Sequence, residues 1–335
     1  MTNVNIASLL RGCEVGRMQT VGVMQVIPLI SDLQDDRFVS TDAGRVGTQT
    51  YGHMVFENES DKTMLVPANA AFIVKQSAQD HAMWGAGLVK GKSTGNFRKT
   101  MCIQGSQPNA IRMDKHKLAI LPLSLREKAI GKRHGDHFGK LWEDIAKFSA
   151  EAGSSPTSNL VDFMNRFQKE LDQFVAEFEV LPNQVGAIVL IGGKVMGVER
   201  TPSTAYFKSV WQALIRECYG SEAIRQVKLG WVKTPRTTQV RAAGSLIDLR
   251  EALKEAREKD EEVAKGKVRG LLEDPFSTSN ESSLGTFLHI TVENSQFVGQ
   301  IVKEGERVHY ASLVTKAAWA SDTNTVWREA KRFSL

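Results

Sequence analysis

Residues 185–198 read VGAIVLIGGKVMGV, two apolar runs that flank a pair of glycines. Glycine adopts the positive φ angles that a two-residue β-turn requires, so this pattern predicts a hairpin that turns at Gly192 and Gly193. Thr201 and Pro202 follow directly and are typical of a helix start, because threonine caps a helix and proline suits its first turn. The sequence therefore predicts the order hairpin, then helix.

Working outward from the hairpin, the sequence predicts strands at both ends and helices between them. Before residue 125 short apolar runs alternate with turn-forming clusters, which indicates strands. The apolar period then changes to that of helices, predicted over 136–150 and 158–179. A charge-dense helix is predicted over 245–267, a flexible loop over 274–283, and three alternating strands over 287–292, 297–302 and 308–314.

These elements predict an α+β fold. We expect a β-rich N-terminal layer, sandwich-like or barrel-like, that packs with amphipathic helices before the chain returns to antiparallel strands at its C-terminus. We also expect a core domain over residues 1–225. The remainder, 226–335, is predicted to be a C-terminal extension, a charged helix and a three-stranded meander packed on the core.

The composition bounds the classes of function. The chain has 335 residues, is 41% hydrophobic and carries 43 basic against 38 acidic side chains, a net charge of +5. The electrostatic field of so small a net charge allows anionic partners but does not indicate one. No apolar run approaches the roughly 18 residues of a membrane span, and the N-terminus lacks a secretory pattern, so we expect a cytoplasmic protein with no membrane partner. Three widely spaced cysteines favour reduced thiols.

The most unusual stretch is residues 75–81, KQSAQDH, which directly follows the apolar run 70–74. It places a cation, two amides, a carboxylate and an imidazole at the end of a predicted strand, where binding and catalytic groups are often found. The stretch predicts a pocket for an anionic ligand. A hydrogen-bonded turn between two strands is the alternative interpretation.

Each side chain of this stretch has an expected role. Lys75 would neutralise a phosphate, and Gln76 and Gln79 would read the polar edges of the ligand. Asp80 and His81 are the candidate catalytic residues, because a carboxylate next to an imidazole is the equipment of proton transfer.

Other patterns indicate less. Residues 87–94, GLVKGKST, resemble a phosphate-binding loop whose spacing is one residue short. His134 and His137 are three apart near a predicted helix start, but the sequence supplies no third ligand, so we predict no metal site and no cofactor. The basic side chains between Arg126 and Lys140 are interpreted as a solvated surface.

Several longer segments resemble one known family, named for its association with ADP-ribosylglycohydrolases and rhodanese-phosphatase superfamily proteins and found in bacterial and phage genomes. The resemblance covers about residues 24–220. The matching segments are QVIPLI at 25–30, YGHMVFENESDKTMLVPANAAFIVKQ at 51–76, TMCIQ at 100–104, LPLSLR at 121–126 and QVGAIVLIGGKVMGVERTPSTAYFKSVWQALIRECYG at 184–220. It implies an α+β fold and a role in NAD- or ADP-ribose-linked nucleotide and RNA processing during host–virus conflict.

The resemblance also implies ligand-binding positions. Lys75 and Gln76 match a Lys-Gln pair of the family, Cys102 and Gln104 match a segment in which cysteine precedes an acid or amide, and Glu199 follows the Gly-Gly hairpin. From the residues alone, Cys102 is either an activated thiol or a buried, inert one. The Glu199 carboxylate either points into a cleft or belongs to the start of the following helix.

The chain departs from the family pattern at two places. Residues 77–78 are Ser-Ala where many members carry Asn-Arg, and residues 68–70 are Ala-Asn-Ala where many carry Gly-Glu. These departures imply either binding without turnover or the use of Asp80 and His81 in place of the missing residues. We expect binding of a phosphorylated NAD- or ADP-ribose-type nucleotide, with Asp80 and His81 supplying proton transfer if it is hydrolysed. The alternatives are sequestration of the nucleotide without turnover, and an assembly protein without a small-molecule site. A homo-oligomer and RNA are further partner classes that the sequence leaves open.

Overall fold

The computed structural model describes residues 4–73, 80–105, 112–135, 139–233 and 245–320, apart from the side chain of Gln49. The strands are, in chain order, β1 (Glu14–Val15), β2 (Gln19–Val21), β3 (Met24–Ile30), β4 (Phe38–Val39), β5 (Gly44–Thr50), β6 (His53–Asn58), β7 (Thr63–Val66), β8 (Ala70–Ile73), β9 (His81–Ala82), β10 (Gly87–Val89), β11 (Thr94–Arg98), β12 (Met101–Cys102), β13 (Lys117–Ile120), β14 (Gly139–Lys140), β15 (Gln184–Ile191), β16 (Lys194–Arg200), β17 (Ser277–Leu284), β18 (Phe287–Glu293), β19 (Phe297–Glu304) and β20 (Arg307–Thr315).

Helices fill the middle of the chain. The α-helices are α1 (Ile6–Leu9), α2 (Leu123–Gly131), α3 (Trp142–Glu151), α4 (Leu160–Arg166), α5 (Gln168–Glu177), α6 (Thr204–Ala213), α7 (Ser221–Lys228), α8 (Leu246–Arg269) and α9 (Ala317–Ala320). A π-helix, Leu214–Gly220, joins α6 to α7. Within the described ranges, no helix has the length and the apolar composition that crossing a bilayer demands.

The predicted hairpin lies at the centre of a nine-stranded antiparallel sheet. Gly192 and Gly193 form its turn with φ angles of 58° and 74°, as the sequence predicts. Strand β15 pairs with β3 on one side, and β16 pairs with β20 on the other. From β20 the sheet continues through β19 and β18 to β17, and its two edges stay open, so the described strands form no closed barrel.

The N-terminal layer consists of three smaller sheets, with the orders β10-β7-β4, β11-β6-β5 and β13-β8-β9-β12-β14. Helices α2 to α5 cover the five-stranded one, and their side chains form a core with it through Leu125, Phe148, Phe163 and Leu171. A large antiparallel sheet, β-rich layers and packed helices together confirm the α+β prediction.

The two faces of the large sheet are covered differently. One face packs against α6 and the π-helix through Phe207 and Ile215. The opposite face packs against α1 and the C-terminal end of α8, which contributes Ala264. Both cores include side chains of β19 and β20, so the C-terminal strands belong to the same sheet as β3. The division into 1–225 and 226–335 stays a prediction.

Three local predictions were wrong in detail. Residues 277–283 of the loop predicted over 274–283 belong to the edge strand β17; most of its polar side chains stay exposed while its backbone pairs with β18. The helix predicted over 158–179 bends at Phe167, where φ is −108° and ψ is 22°. The helix after the hairpin is capped by Ser203, because the Thr201 hydroxyl instead donates to the Val185 carbonyl at 2.7 Å.

The π-helix packs against the sheet at a position where only glycine fits. A Cβ atom on Gly197 of β16 would lie 2.0 Å from the Tyr219 hydroxyl. We expect Gly197→Ala to lower the free energy of unfolding by about 1–3 kcal/mol through overpacking. Gly266→Ala, in α8 and without a described neighbour within 4 Å, should raise it by up to about 1 kcal/mol through helix propensity. Urea denaturation of both variants checks this, and equal midpoints would contradict it.

Candidate functional site

The predicted polar stretch begins where β8 ends. Lys75, Gln76 and Gln79 lie outside the described residues. The two candidate catalytic residues, Asp80 and His81, are described and buried at the start of β9. Strand β9 lies between β8 and β12, so these two residues belong to the middle strand of the five-stranded sheet. They lie at the edge of the sheet that is formed by the end of β8 and the starts of β9 and β13.

The strand register assigns the two catalytic candidates to different faces. His81 pairs with Phe72 on one side and with Cys102 on the other. The carbonyl of Asp80 accepts a hydrogen bond from the amide of Ile103 at 3.2 Å, so the ladder extends to Asp80. Because successive residues of a strand point to opposite faces, His81 and Cys102 share one face and Asp80 shares the other with Ile103.

The face that carries His81 packs towards the sheet of β5, β6 and β11. The amide of Gly52 donates to Nε2 of His81 at 3.5 Å, which requires that nitrogen to be unprotonated. The thiol of Cys102 is buried and donates to the carbonyl of Gln104 at 3.3 Å. These contacts favour the buried interpretation of Cys102, held within the chain by its own hydrogen bond.

Asp80 and Lys117 lie on the opposite face of the sheet, which is also the face that α2 to α5 cover. The side-chain oxygen of Gln104 accepts from the amide of Asp80 at 3.2 Å, which leaves the Gln104 amino group as a donor. Lys117 pairs with Ile73 on the far side of β8. Two strand spacings of about 4.8 Å put the backbones of Asp80 and Lys117 about 10 Å apart on this face. The Lys117 side chain is 56% exposed. The structure therefore places Asp80 and Lys117 on one face, with the Gln104 side chain bonded to the Asp80 backbone, and sequence reasoning missed Lys117.

Glu199 lies elsewhere, inside the protein. Its carboxylate is buried in β16, where Oε1 accepts from Nη1 of Arg126 and from the Tyr219 hydroxyl, both at 2.8 Å. The hydroxyl of Ser312, directly opposite on β20, donates to Oε2. The chain's own donors thus occupy both oxygens, and the carboxylate faces a packed interior.

Arg126 is the centre of this network and was wrongly interpreted as part of a solvated surface. It is fully buried in α2, and its Nε donates to the Asn69 side-chain oxygen at 3.1 Å. Burial alone would lower the pKa of Arg126, but Glu199 raises it well above its usual value, so the guanidinium stays charged. Burial raises the pKa of the neighbouring Cys218 thiol to about 12, which keeps that thiol neutral.

The Gly-Gly turn and Glu199 lie at opposite ends of β16. Glu199 is the sixth residue after Gly193, about 20 Å along an extended strand. At the turn, Lys267 donates to the carbonyl of Gly193 at 2.7 Å, and a Cβ atom on Gly192 would meet Val232. The turn is therefore packed by α8 and by the chain after α7.

Comparison with known families matches residues 12–313 to the ARG and Rhodanese-Phosphatase-superfamily-associated Protein domain, ARPP-1. The chain belongs to this family. No curated protein and no solved structure matched it. The match includes every described strand of the small sheets and ends within β20. Both the sheet edge and the Arg126 network therefore lie within the ARPP-1 domain.

One departure from the family pattern falls in the Arg126 network. Asn69 has a φ of 58°, a left-handed conformation that asparagine tolerates better than most residues. Its side-chain amino group donates to the Trp84 carbonyl at 2.7 Å while its oxygen accepts from Arg126. Asn69 therefore supplies a bridge between the turn before β8 and the buried guanidinium.

A sequence signal for Arg126 did exist. It ends the LPLSLR segment of the family resemblance, and its neighbours Leu125 and Ala129 are apolar and buried. On the helix surface Arg126 is next to Leu123, Ala129 and Ile130, all buried, and a cation on an apolar helix face is the pattern of a paired, buried charge. The basic residues that follow it along the chain concealed that pattern.

The ion pair predicts strong coupling between two distant positions. Arg126→Met leaves the Glu199 carboxylate buried without its cation, and Glu199→Gln leaves the guanidinium without its anion; we expect each to cost about 3–5 kcal/mol. The double variant should cost at least about 1.5 kcal/mol less than their sum, as measured by urea denaturation.

A matched control is the exposed pair of Lys254 and Glu258 on α8, 3.8 Å apart. Glu258→Gln should change the free energy of unfolding by no more than about 0.5 kcal/mol. Additive effects of the Arg126 and Glu199 substitutions would show that the buried pair is not a unit.

Proposed function

We propose that this ARPP-1 domain binds an anionic, phosphorylated nucleotide of the NAD or ADP-ribose type at the edge of the five-stranded sheet, and hydrolyses it there. The observation that carries the proposal is the shared sheet face of Asp80 and Lys117, together with the Gln104 side chain that accepts a hydrogen bond from the Asp80 amide. A half-exposed ammonium suits a phosphate, an amide suits a base or sugar edge, and a carboxylate suits an acid–base step.

The register favours Asp80 over His81 as the group that meets the ligand. Asp80 lies on the face that carries Lys117, whereas the imidazole of His81 is turned towards Gly52. We assign the proton transfer of the proposed hydrolysis to Asp80, while His81 positions β9 from the opposite face. Lys75, Gln76 and Gln79 keep their proposed roles as phosphate and edge ligands.

The family name supports the ligand class. It links the domain to ADP-ribosylglycohydrolases, enzymes whose substrates contain ADP-ribose. We place the activity in a bacterial or phage conflict setting, in defence or counter-defence, as the resemblance implies. Sequestration of the same nucleotide without turnover is the nearest alternative, and it needs the same binding groups without the proton transfer.

A second candidate function, assembly, is favoured by a different observation. Helix α8 leaves large apolar side chains in solvent at its N-terminal end, where Leu246 is 85% and Ile247 is 70% exposed. Exposed apolar side chains that lie together often mark contacts with another chain. In this alternative α8 docks on a partner or a second copy, and the sheet edge has only a structural role.

Binding and turnover are separable by substitution. We expect ADP-ribose or NAD to bind the wild type in calorimetry, and Lys75→Ala to weaken binding about 10- to 100-fold, the effect of losing one charge-assisted hydrogen bond. Asp80→Asn should retain binding and stop hydrolysis, followed by chromatography of the nucleotide. Lys254→Ala, on exposed α8, is the control and should change neither.

The outcomes distinguish the candidates. Tight binding with the nucleotide recovered unchanged supports sequestration. A wild type that binds neither nucleotide, yet forms dimers in light scattering that Leu246→Ser disrupts, supports assembly and contradicts the proposed site. Unchanged affinity in a folded Lys75→Ala variant would remove residues 75–81 from the binding site.

A further inference from the structure

The π-helix Leu214–Gly220 carries a buried carboxyl group that the fold does not fully use. All seven residues of this helix are buried. π-Helices insert an extra residue into a helix and are frequent at functional sites. The helical segment after the hairpin therefore contains an irregular turn that packs against the large sheet, and Glu217 lies within this turn.

The two oxygens of Glu217 have different surroundings. Its Oε1 accepts from Nη1 of Arg216 at 2.6 Å and lies 3.3 Å from Nζ of Lys117. Its Oε2 is buried and has no hydrogen-bond partner in the described part of the chain. A buried acceptor without a donor costs free energy, so such an atom requires an explanation.

Glu217 connects directly to the proposed ligand face. Lys117, which contacts Glu217 Oε1, is the residue that shares its sheet face with Asp80. The Lys117 side chain is 56% exposed whereas that of Glu217 is 1% exposed. The ammonium therefore reaches from solvent to the buried carboxyl group, at the same edge of the five-stranded sheet.

The charge environment fits a group that exchanges hydrogen bonds. Burial raises the pKa of Glu217, and Lys117 and Arg216 oppose that rise. A carboxyl group with a raised pKa is able to accept a hydrogen bond when ionised and to donate one when protonated. Arg216 also pairs with Asp172 at 2.6 Å, so it keeps a counter-ion when the Glu217 carboxylate is protonated.

We infer that Glu217 is a ligand-binding residue of this site, whose Oε2 pairs with a hydroxyl group of a phosphorylated sugar while Lys117 binds the adjacent phosphate. This inference rests on the proposed function and narrows the ligand to a sugar phosphate, such as the ribose phosphate of ADP-ribose. Glu217 recognises the sugar, and Lys117 recognises the charge.

Two probes separate these roles. ADP-ribose carries both the sugar and the phosphate, and inorganic phosphate carries only the charge. We expect Glu217→Gln to weaken ADP-ribose binding at least tenfold in calorimetry. The affinity for inorganic phosphate, measured by its competition with ADP-ribose, should stay unchanged. Lys117→Gln should weaken both. Asp172→Asn is the control, because it removes the other, half-exposed carboxylate of Arg216 and should leave ADP-ribose binding unchanged.

Stability of the ligand-free protein gives a second readout. Glu217→Gln should lower the unfolding midpoint only modestly, since Arg216 loses one buried partner but keeps Asp172 as its counter-ion. A lowered midpoint with unchanged ADP-ribose affinity assigns Glu217 a structural role and overturns the inference. If Glu217→Gln does not fold, Lys117→Gln at its exposed side chain still decides, because unchanged affinity for both probes overturns it.

Failure of this inference differs from failure of the proposed function. A wild type that binds ADP-ribose, with equal affinity in a folded Glu217→Gln variant, overturns only the role of Glu217. A wild type that binds no ADP-ribose overturns the proposed function, and with it the assignment of Glu217.

Discussion

The buried ion pair of Arg126 and Glu199 is the interaction on which the arrangement of layers depends. A guanidinium and a carboxylate inside a protein are tolerated only when each is paired and fully hydrogen-bonded. Arg126 meets that condition by donating to acceptors from four separate parts of the chain: the turn before β8, β16, β20 and the π-helix. These parts must therefore assemble around it together.

The position of α2 explains why this pair matters. Leu123 and Ile130 of α2 belong to the core against the large sheet, whereas Leu125 and Ala129 belong to the core of the five-stranded sheet. Arg126 lies between the two sets. The helix thus joins the two cores, and the proposed site at the edge of the smaller sheet owes its position relative to β16 and the π-helix to this connection.

How far the sequence predicts the structure depends on whether a feature is local. The hairpin at Gly192 and Gly193 and the charge-dense helix α8 follow from glycine geometry and charge spacing, and both are present. Strand β17 was missed because its pairing with β18, rather than its polar side chains, stabilises it. The π-helix has no distinctive composition, so the pattern that predicts the helix after the hairpin gives no sign of it.

The candidate site shows the same limit. The stretch ending in Asp80 and His81 was identified by its unusual polarity, but which face each side chain occupies is set by the register with Phe72 and Cys102. Lys117 and Glu217 are distant in sequence and ordinary in their surroundings. Only the packing of β13 against the π-helix brings them together.

Native-state hydrogen exchange tests the central role of Arg126 most directly. If the buried pair unites the two cores, the slowest amides of α2 exchange with the same opening free energy and the same denaturant dependence as those of β16 and β20, in one cooperative unit. If α2 opens at a clearly lower free energy while β16 and β20 remain protected, the ion pair does not hold the layers together, and the account is contradicted.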